Sequence, residues 1–394
     1  MMVWSMELHV SILVCSLFFL ILSIMIPLHN YIFSIYYIKN MEPPLSNTNL
    51  PNLTIFLPVK NEELLIKSKL EEIFEMDYPK SKLSILIIDS GSSDSTSIIA
   101  EKYLSNISHN LWQIENISPP GKSIAVNHAL EMINTKFFVM MDAESILKND
   151  ALKNIVRWFQ DSTIGAVCGQ LSELPELNNY SYRNIFNRLR TSESALDSTP
   201  IFEGSICGFR KSALQSLKIN PNINADDTQL SLLVRKNGYR AIMDPNLKFF
   251  EPSNKDNKSN NYRELRRAQG LSRVFWENKD LLFFKDVKFR NIFRQQFYFY
   301  LVFPWFVSTS ILLIYISSII ELLYSHGNWS NIFILPCIIF LSLVNKSIRE
   351  IFGGIIVLLK SHIMALSKRN LHIWESDINL RKSIYNYRNE NSKK

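Results

Sequence analysis

The sequence predicts an α/β domain with a mainly parallel central sheet and helices on both faces, joined at each end to transmembrane helices. Three observations carry this prediction. Short apolar runs alternate with helix-like stretches from Leu53 to about Asn278. Several of those runs end abruptly in acids, as at Asp89 and Asp142. Apolar segments long enough to cross a bilayer lie on either side. Alternation favours parallel pairing, because a parallel partner is reached only through a crossover, usually a helix.

Taken in order, residues 8–38, LHVSILVCSLFFLILSIMIPLHNYIFSIYYI, exceed the roughly 20 residues that span a hydrocarbon core. A cleaved signal peptide needs a basic leading region, and MMVWSMELHV contains neither Lys nor Arg. Residues 1–40 are therefore expected to be a membrane anchor, kinked near Pro27, and the Pro- and Asn-rich 41–52 a linker. Within 53–278 the candidate strands are LTIFLPV, LSILIID, FFVMMD and IGAVCGQL. The candidate helices are 62–76, 95–104, 122–133, 149–160, 181–197 and 226–237.

Residues 279–296 interleave Phe and Leu with Lys285, Lys288, Arg290 and Arg294, as an interfacial amphipathic helix does. A plain surface helix is the alternative. Apolar segments follow at about 297–323 and 331–345, then IFGGIIVLLKSHIMAL, whose Lys360 suits a span, a re-entrant segment or a surface helix equally. Residues 297–366 thus hold two or three transmembrane helices, and 367–394 a polar tail. Arg290 and Arg294 precede the pair of spans, Lys346 and Arg349 follow it, and the turn SHGNWSN carries neither Lys nor Arg. The positive-inside rule then puts the α/β domain in the cytoplasm of a cell-membrane protein.

Composition excludes some functions. Of 394 residues 47% are hydrophobic and the formal net charge is +7, a balance suited to a membrane surface. No basic stripe interleaved with aromatics marks a nucleic-acid partner. The 4 Cys, at 15, 168, 207 and 337, have no zinc or disulfide spacing and read as small buried thiols. No Gly-x-Gly-x-x-Gly or P-loop follows a predicted strand, which argues against a dehydrogenase or a P-loop enzyme.

The strand ends carry the chemistry. In an open parallel sheet ligands bind outside the carboxyl ends of the strands. FFVMMDAE places Asp142 and Glu144 there, two residues apart, so that on an extended segment both point the same way and can approach one hard divalent cation. A solvated loop exit is the alternative. LSILIIDSGSSDST ends likewise in Asp89, with Ser93 and Asp94 as plausible helix caps. FLPVKNEE brings Pro58, Asn61 and Glu62 to the same edge.

PVKNE, IIDSGSSDST, GKSIAVNHAL, FVMMDAES, GSICGFRKSAL and ADDTQLSLLVRKNGYRAIMDP are similar, in order and spacing, to the motifs of family-2 glycosyltransferases over about residues 53–275. The resemblance implies a GT-A fold that binds a nucleotide-diphospho-sugar, such as a UDP- or GDP-sugar, and transfers the sugar with inversion. It implies that Asp89 accepts from the nucleotide base, with Pro58 and Glu62 bordering that pocket and Lys122 facing the nucleotide. Asp142 and Glu144 fall on the Asp-x-Asp motif that holds the diphosphate through Mg²⁺ or Mn²⁺, the Glu being a departure from the pattern. Asp227 falls on the Asp of the Thr-Glu-Asp motif, the general base; an acid favoured by the helix dipole is the structural alternative.

Processive members carry Gln-x-x-Arg-Trp after the base, and here YRELRRAQGLSR offers Arg263, Arg266 and Arg267 instead. Losing the Trp removes an aromatic platform for a sugar, while a guanidinium makes planar contacts to phosphate. This favours a lipid-phosphate or lipid-linked acceptor and contact with membrane lipid over a processive synthase that extrudes its polymer. A catalytically silent relative that only binds nucleotide-sugar is the reading from another class.

Overall fold

The computed structural model describes residues 2–36, 41–44, 49–107, 111–172, 181–214, 218–251, 257–324, 346–367 and 378–391. The strands are β1 (Leu53–Val59), β2 (Leu83–Asp89), β3 (Trp112–Asn116), β4 (Phe137–Met141), β5 (Ile146–Leu147), β6 (Ile164–Ser172), β7 (Ile206–Arg210) and β8 (Arg240–Phe250). The helices within the domain are α2 (Ile66–Glu75), α3 (Thr96–Asn106), α4 (Lys122–Met132), α5 (Ala151–Trp158), α6 (Ser181–Leu196), α7 (Asp226–Lys236) and α8 (Asn257–Glu277). Outside it stand α1 (Met2–Tyr36), α9 (Val287–Phe297), α10 (Phe303–Tyr324), α11 (Lys346–Leu366) and α12 (Ile378–Asn391).

The strands form one sheet in the order β3-β2-β1-β4-β7-β6-β8-β5. The β3-β2-β1-β4 half is parallel throughout. β7 then runs antiparallel to both β4 and β6, while β6 pairs with β8 in parallel and β8 with β5 antiparallel. The sheet is therefore more mixed than the alternating pattern suggests, with the antiparallel β7 inserted between β4 and β6.

Alternation along each strand sets the two cores. Leu53, Ile55, Leu57 and Val59 of β1 join Ile85 and Ile87 of β2 and Val139 and Met141 of β4 on the face covered by α2, α3 and α5. Phe56, Leu86, Ile88, Phe138 and Met140 point the other way, toward α4 and α7. A strand buried on both faces reads as a continuous apolar run, which is why these three were visible in the sequence.

Val10–Asn30 and Val287–Ile320 are long and apolar enough to cross a bilayer, with mean hydropathy of 2.6 and 1.9. Phe352–Leu366 is a shorter apolar helix. α1 packs along α10, with Phe19 and Phe306 in edge contact at 5.4 Å. Ser16, Ser23 and Asn30, seven residues apart, are buried along one side of α1, while Val14, Phe18, Ile21 and Met25 are exposed. The expected span at 331–345 and the turn before it lie outside the described residues.

Two segments differ from their sequence reading in detail. The rings of α9 expected at a lipid boundary are largely turned inward: Phe289 and Phe293 pack with Val274, Phe275 and Leu232. An amphipathic helix buries its apolar face against whatever apolar surface adjoins it, and α8 supplies one. Phe283, Val287 and Trp276 are the large side chains left exposed there. Residues 378–391 of the expected polar tail form α12, whose Leu380 and Ile384 pack on Leu65.

Gly208, where β7 lies between β4 and β6, leaves space for α5, since a Cβ there would stand 2.2 Å from Ile155 Cγ2. Gly208→Ala is expected to cost about 1–3 kcal/mol through overpacking. Thermal melts should show a midpoint lowered by several degrees, and an unchanged midpoint would contradict this seating of α5.

Candidate active site

Strand register assembles the site edge. Val59 pairs with Asp89 and Phe56 with Met140, so Pro58, Asp89 and Asp142 lie at the carboxyl ends of three adjacent strands. Asp89 is 2% exposed, and its carboxylate accepts from Ser92 N at 2.8 Å and from the Ser97 hydroxyl. Pro58 is buried within β1. Glu62 is also buried, and both its oxygens accept from the guanidinium of Arg381 on α12. Burial raises the Glu62 pKa to about 7 against the opposing pull of Arg381.

Beyond β4 the chain turns sharply, with Ser145 N and Oγ donating to the Asp142 carbonyl at 3.3 and 2.9 Å. Lys122 opens α4, which is tied to the end of β2 by Gly121 N donating to Ser90 Oγ at 2.6 Å. Its Nζ stands 2.8 Å from Asp142 Oδ1 and 3.6 Å from Asp226 Oδ2. Burial opposes the charge on Lys122, but Asp142 and Asp226 outweigh it and hold the ammonium protonated.

Asp226 and Asp227 begin α7 directly after Ala225, a left-handed residue at φ 112°. A non-glycine residue in that region is strained, and such strain concentrates at functional sites. Asp227 Oδ1 accepts from Thr228 N at 2.7 Å. Its Oδ2 lies 3.0 Å from where a Cβ on Gly204 would sit, so that glycine keeps the approach to the carboxylate open. Burial, then the charge of Asp226, raises the Asp227 pKa to about 7, with Lys122 partly offsetting them.

The remaining acids and cations flank this pair. Arg263 Nη2 is 3.6 Å from Glu144 Oε1 and 3.9 Å from Glu251 Oε2, and the Ser205 hydroxyl donates to Glu251. Burial and Glu251 raise the Glu144 pKa, and Arg263 draws it back. Arg267 feels Glu251, Glu203, Glu144 and Asp227, which together outweigh its burial and keep it charged. Arg266 has a buried Nε without a hydrogen-bond partner among the described residues, and burial with the neighbouring Arg267 and Arg263 lowers its pKa. Arg190 pairs with Glu203.

The structure thus brings Lys122, Asp142 and Asp227 into one cluster, sets Glu144, Arg263 and Arg267 beside it, and places Asp89 and Pro58 on the neighbouring strand ends. Sequence reasoning passed over Asp226 as a partner of Lys122, and over Glu203 and Glu251. Glu251 obeys the same strand-end rule that singled out Asp89 and Asp142. Its strand was hidden because RAIMDPNLKFF is broken by Asp244, Pro245 and Asn246. Asp142 and Glu144 supply two hard oxygen donors, which suits a small divalent cation that takes one or two carboxylates and completes its shell with substrate phosphates and water.

Residues 54–218 match the family described as glycosyl transferase family 2, and residues 137–345, more than half of the chain, match glycosyl transferase family group 2. The chain belongs to glycosyltransferase family 2. Its α/β domain is accordingly of the GT-A type. Among solved structures, this glycosyltransferase is similar to the mannosyltransferase PcManGT from Pyrobaculum calidifontis in complex with GDP-Man and Mn²⁺. The TM-score is 0.79 and the identity 26%, covering 91% of this chain and 100% of the other. It is also 24% identical over 217 residues to poly-beta-1,6-N-acetyl-D-glucosamine synthase of Staphylococcus aureus, across 53% of this chain and 52% of that one. The Staphylococcus epidermidis synthase matches at 24% over 199 residues, 47% of each. The glycosyltransferase spans about half the length of these curated relatives.

Gly270 sets the fit between the Arg-bearing helix and the segment that leads into Asp227. A Cβ there would meet the Asn224 carbonyl oxygen at 2.0 Å, and Asn224 Nδ2 donates to the Arg266 carbonyl at 2.7 Å. Gly270→Ala should push α8 off the loop that leads into α7 and Asp227. Since a misplacement of about 1 Å can cost about 10²-fold, sugar transfer is expected to fall by one to two orders of magnitude in a product assay.

Proposed function

We propose that this family-2 enzyme moves a sugar, with inversion, from a nucleotide-diphospho-sugar to a lipid-phosphate or lipid-linked acceptor at the cytoplasmic face of a membrane, using Mg²⁺ or Mn²⁺. The observation that carries this reading is Lys122, whose ammonium touches Asp142 of the donor motif and Asp226 beside the base, so both halves of a displacement share one cluster.

Asp142 and Glu144 would hold the cation, which as a Lewis acid neutralises charge on the departing diphosphate. Lys122 and Arg263 add fixed positive charge at the same edge. Asp227 is suited to take the acceptor hydroxyl proton, because its pKa of about 7 makes it a stronger base than an ordinary carboxylate while still ionised near neutrality. Inversion requires this base and the leaving group on opposite faces of the sugar. The GDP-Man and Mn²⁺ held by the Pyrobaculum mannosyltransferase are the donor and metal classes this reading predicts.

The acceptor side rests on α8. Arg266 and Arg267 lie on the helix that packs against the apolar α11, where His362 Nε2 and Ser272 Oγ are 3.2 Å apart. Trp276 and Phe283 are exposed nearby, with Lys279 over the Trp276 ring at 4.8 Å. Rings and cations together suit a headgroup region, and guanidinium groups close to it suit a phosphate. The similarity to staphylococcal polysaccharide synthases favours a second reading, processive chain extension. Product length decides: single additions support the proposed acceptor, and long polymer from one encounter supports the synthase.

Asp142→Asn is expected to abolish Mn²⁺-dependent binding of donor, measured by titration calorimetry. Asp227→Asn should retain that binding and lose transfer by about 10²–10⁴-fold; retained transfer would remove Asp227 as the base. With the native chain, kcat should rise with pH and level off above about 7. Below that value Asp227 carries a proton and cannot accept another.

A further inference from the structure

The turn that presents Asp142 and Glu144 is held from behind by a segment about 245 residues away in the chain. Arg388 of α12 reaches it with Nη2, which donates to the Ala143 carbonyl at 3.2 Å and the Ser145 carbonyl at 2.8 Å. The same nitrogen meets Glu72 Oε2 at 3.0 Å, and Nη1 donates to Ser68 Oγ at 2.9 Å. Lys69, fully buried, adds a second cation, donating to the Ser145 carbonyl at 2.9 Å and Ser145 Oγ at 3.1 Å. Glu72 Oε1 accepts from Leu147 N at 2.9 Å, which fixes the far side of the turn.

The two carbonyls that flank Glu144 are thereby both clamped. Ala143 and Ser145 are buried, while the carboxylates of Asp142 and Glu144 meet Lys122 and Arg263. α12 itself is seated independently of Arg388. Leu380 and Ile384 pack on Leu65, and Arg381 forms the buried pair with Glu62.

We propose that Arg388 is a positioning residue for the donor site: through its guanidinium, α12 fixes the spacing and direction of the Asp142 and Glu144 carboxylates. This rests on reading those two acids as the anchor for metal and diphosphate. A planar fork with several donors can hold two carbonyls, a serine and a carboxylate at once, whereas an ammonium on a flexible stem reproduces only part of those contacts. Two carboxylates gripping one small cation tolerate little displacement, because Mg²⁺-like ions demand near-ideal coordination.

The test uses the full chain in lipid nanodiscs, with Mn²⁺ plus GDP and, separately, Mn²⁺ plus UDP as titrants. Arg388→Ala should weaken nucleotide binding in the presence of Mn²⁺ by about tenfold or more, with the melting temperature lowered by only a few degrees because α12 keeps its other anchors. Arg388→Lys should recover part of that loss. A melting temperature that falls while Mn²⁺-dependent affinity stays at the native value would show a purely structural strut and overturn the proposal. So would equal affinity in the Lys and Ala variants. Asp142→Asn, titrated alongside, separates the two levels: if it binds like the native chain, the reading of the anchor fails and the proposal with it. If it loses binding while Arg388→Ala does not, only the role of Arg388 is lost.

Discussion

Six carboxylates, Asp142, Glu144, Glu203, Asp226, Asp227 and Glu251, gather at one edge of one sheet, and the protein must keep them together without letting their repulsion open the cleft. Cations set between them solve this. Lys122 sits between Asp142 and Asp226, Arg263 between Glu144 and Glu251, and Arg190 against Glu203. None of these ion pairs is a surface decoration, since burial strengthens each interaction and makes an unpaired member costly. The result is a site in which buried and half-buried carboxylates are held together by cations set between them.

Asp227 shows what that environment accomplishes. A carboxylate in water is a weak base at neutral pH, and the same group beside Asp226 in a half-buried pocket becomes a stronger one. Lys122 limits the effect. The left-handed Ala225 and the missing side chain at Gly204 leave one oxygen of Asp227 open to approach, and the surrounding packing bears the strain.

Much of this was legible in the sequence, for a physical reason. β1, β2 and β4 are buried on both faces, so they appear as unbroken apolar runs, and the acids that end them stand out. α4 and α7 were readable as helix-like stretches between the apolar runs. β3, with partly exposed WQIEN, carries no such run, and β7 is five residues containing Gly208 and ending in Arg210. β8 is broken by Asp-Pro-Asn. Their pairing is decided by neighbours in the sheet and not by their own composition, so Glu203 and Glu251 remained hidden with them. The part played by Arg381 and Arg388 was out of reach altogether, because nothing local in a polar C-terminal stretch indicates which distant surface it will cover.

The return of α12 to the start of the domain has a consequence for how the molecule comes into being. Domains tend to fold as they emerge from the ribosome, amino-terminal parts first. The strands that carry Asp89 and Asp142 are made early, whereas Glu62 must wait for Arg381, 319 residues later, before its carboxylate is neutralised. A nascent chain therefore carries an incompletely braced sheet edge throughout the translation of α9, α10 and α11, and it matures only once those helices have already left the ribosome.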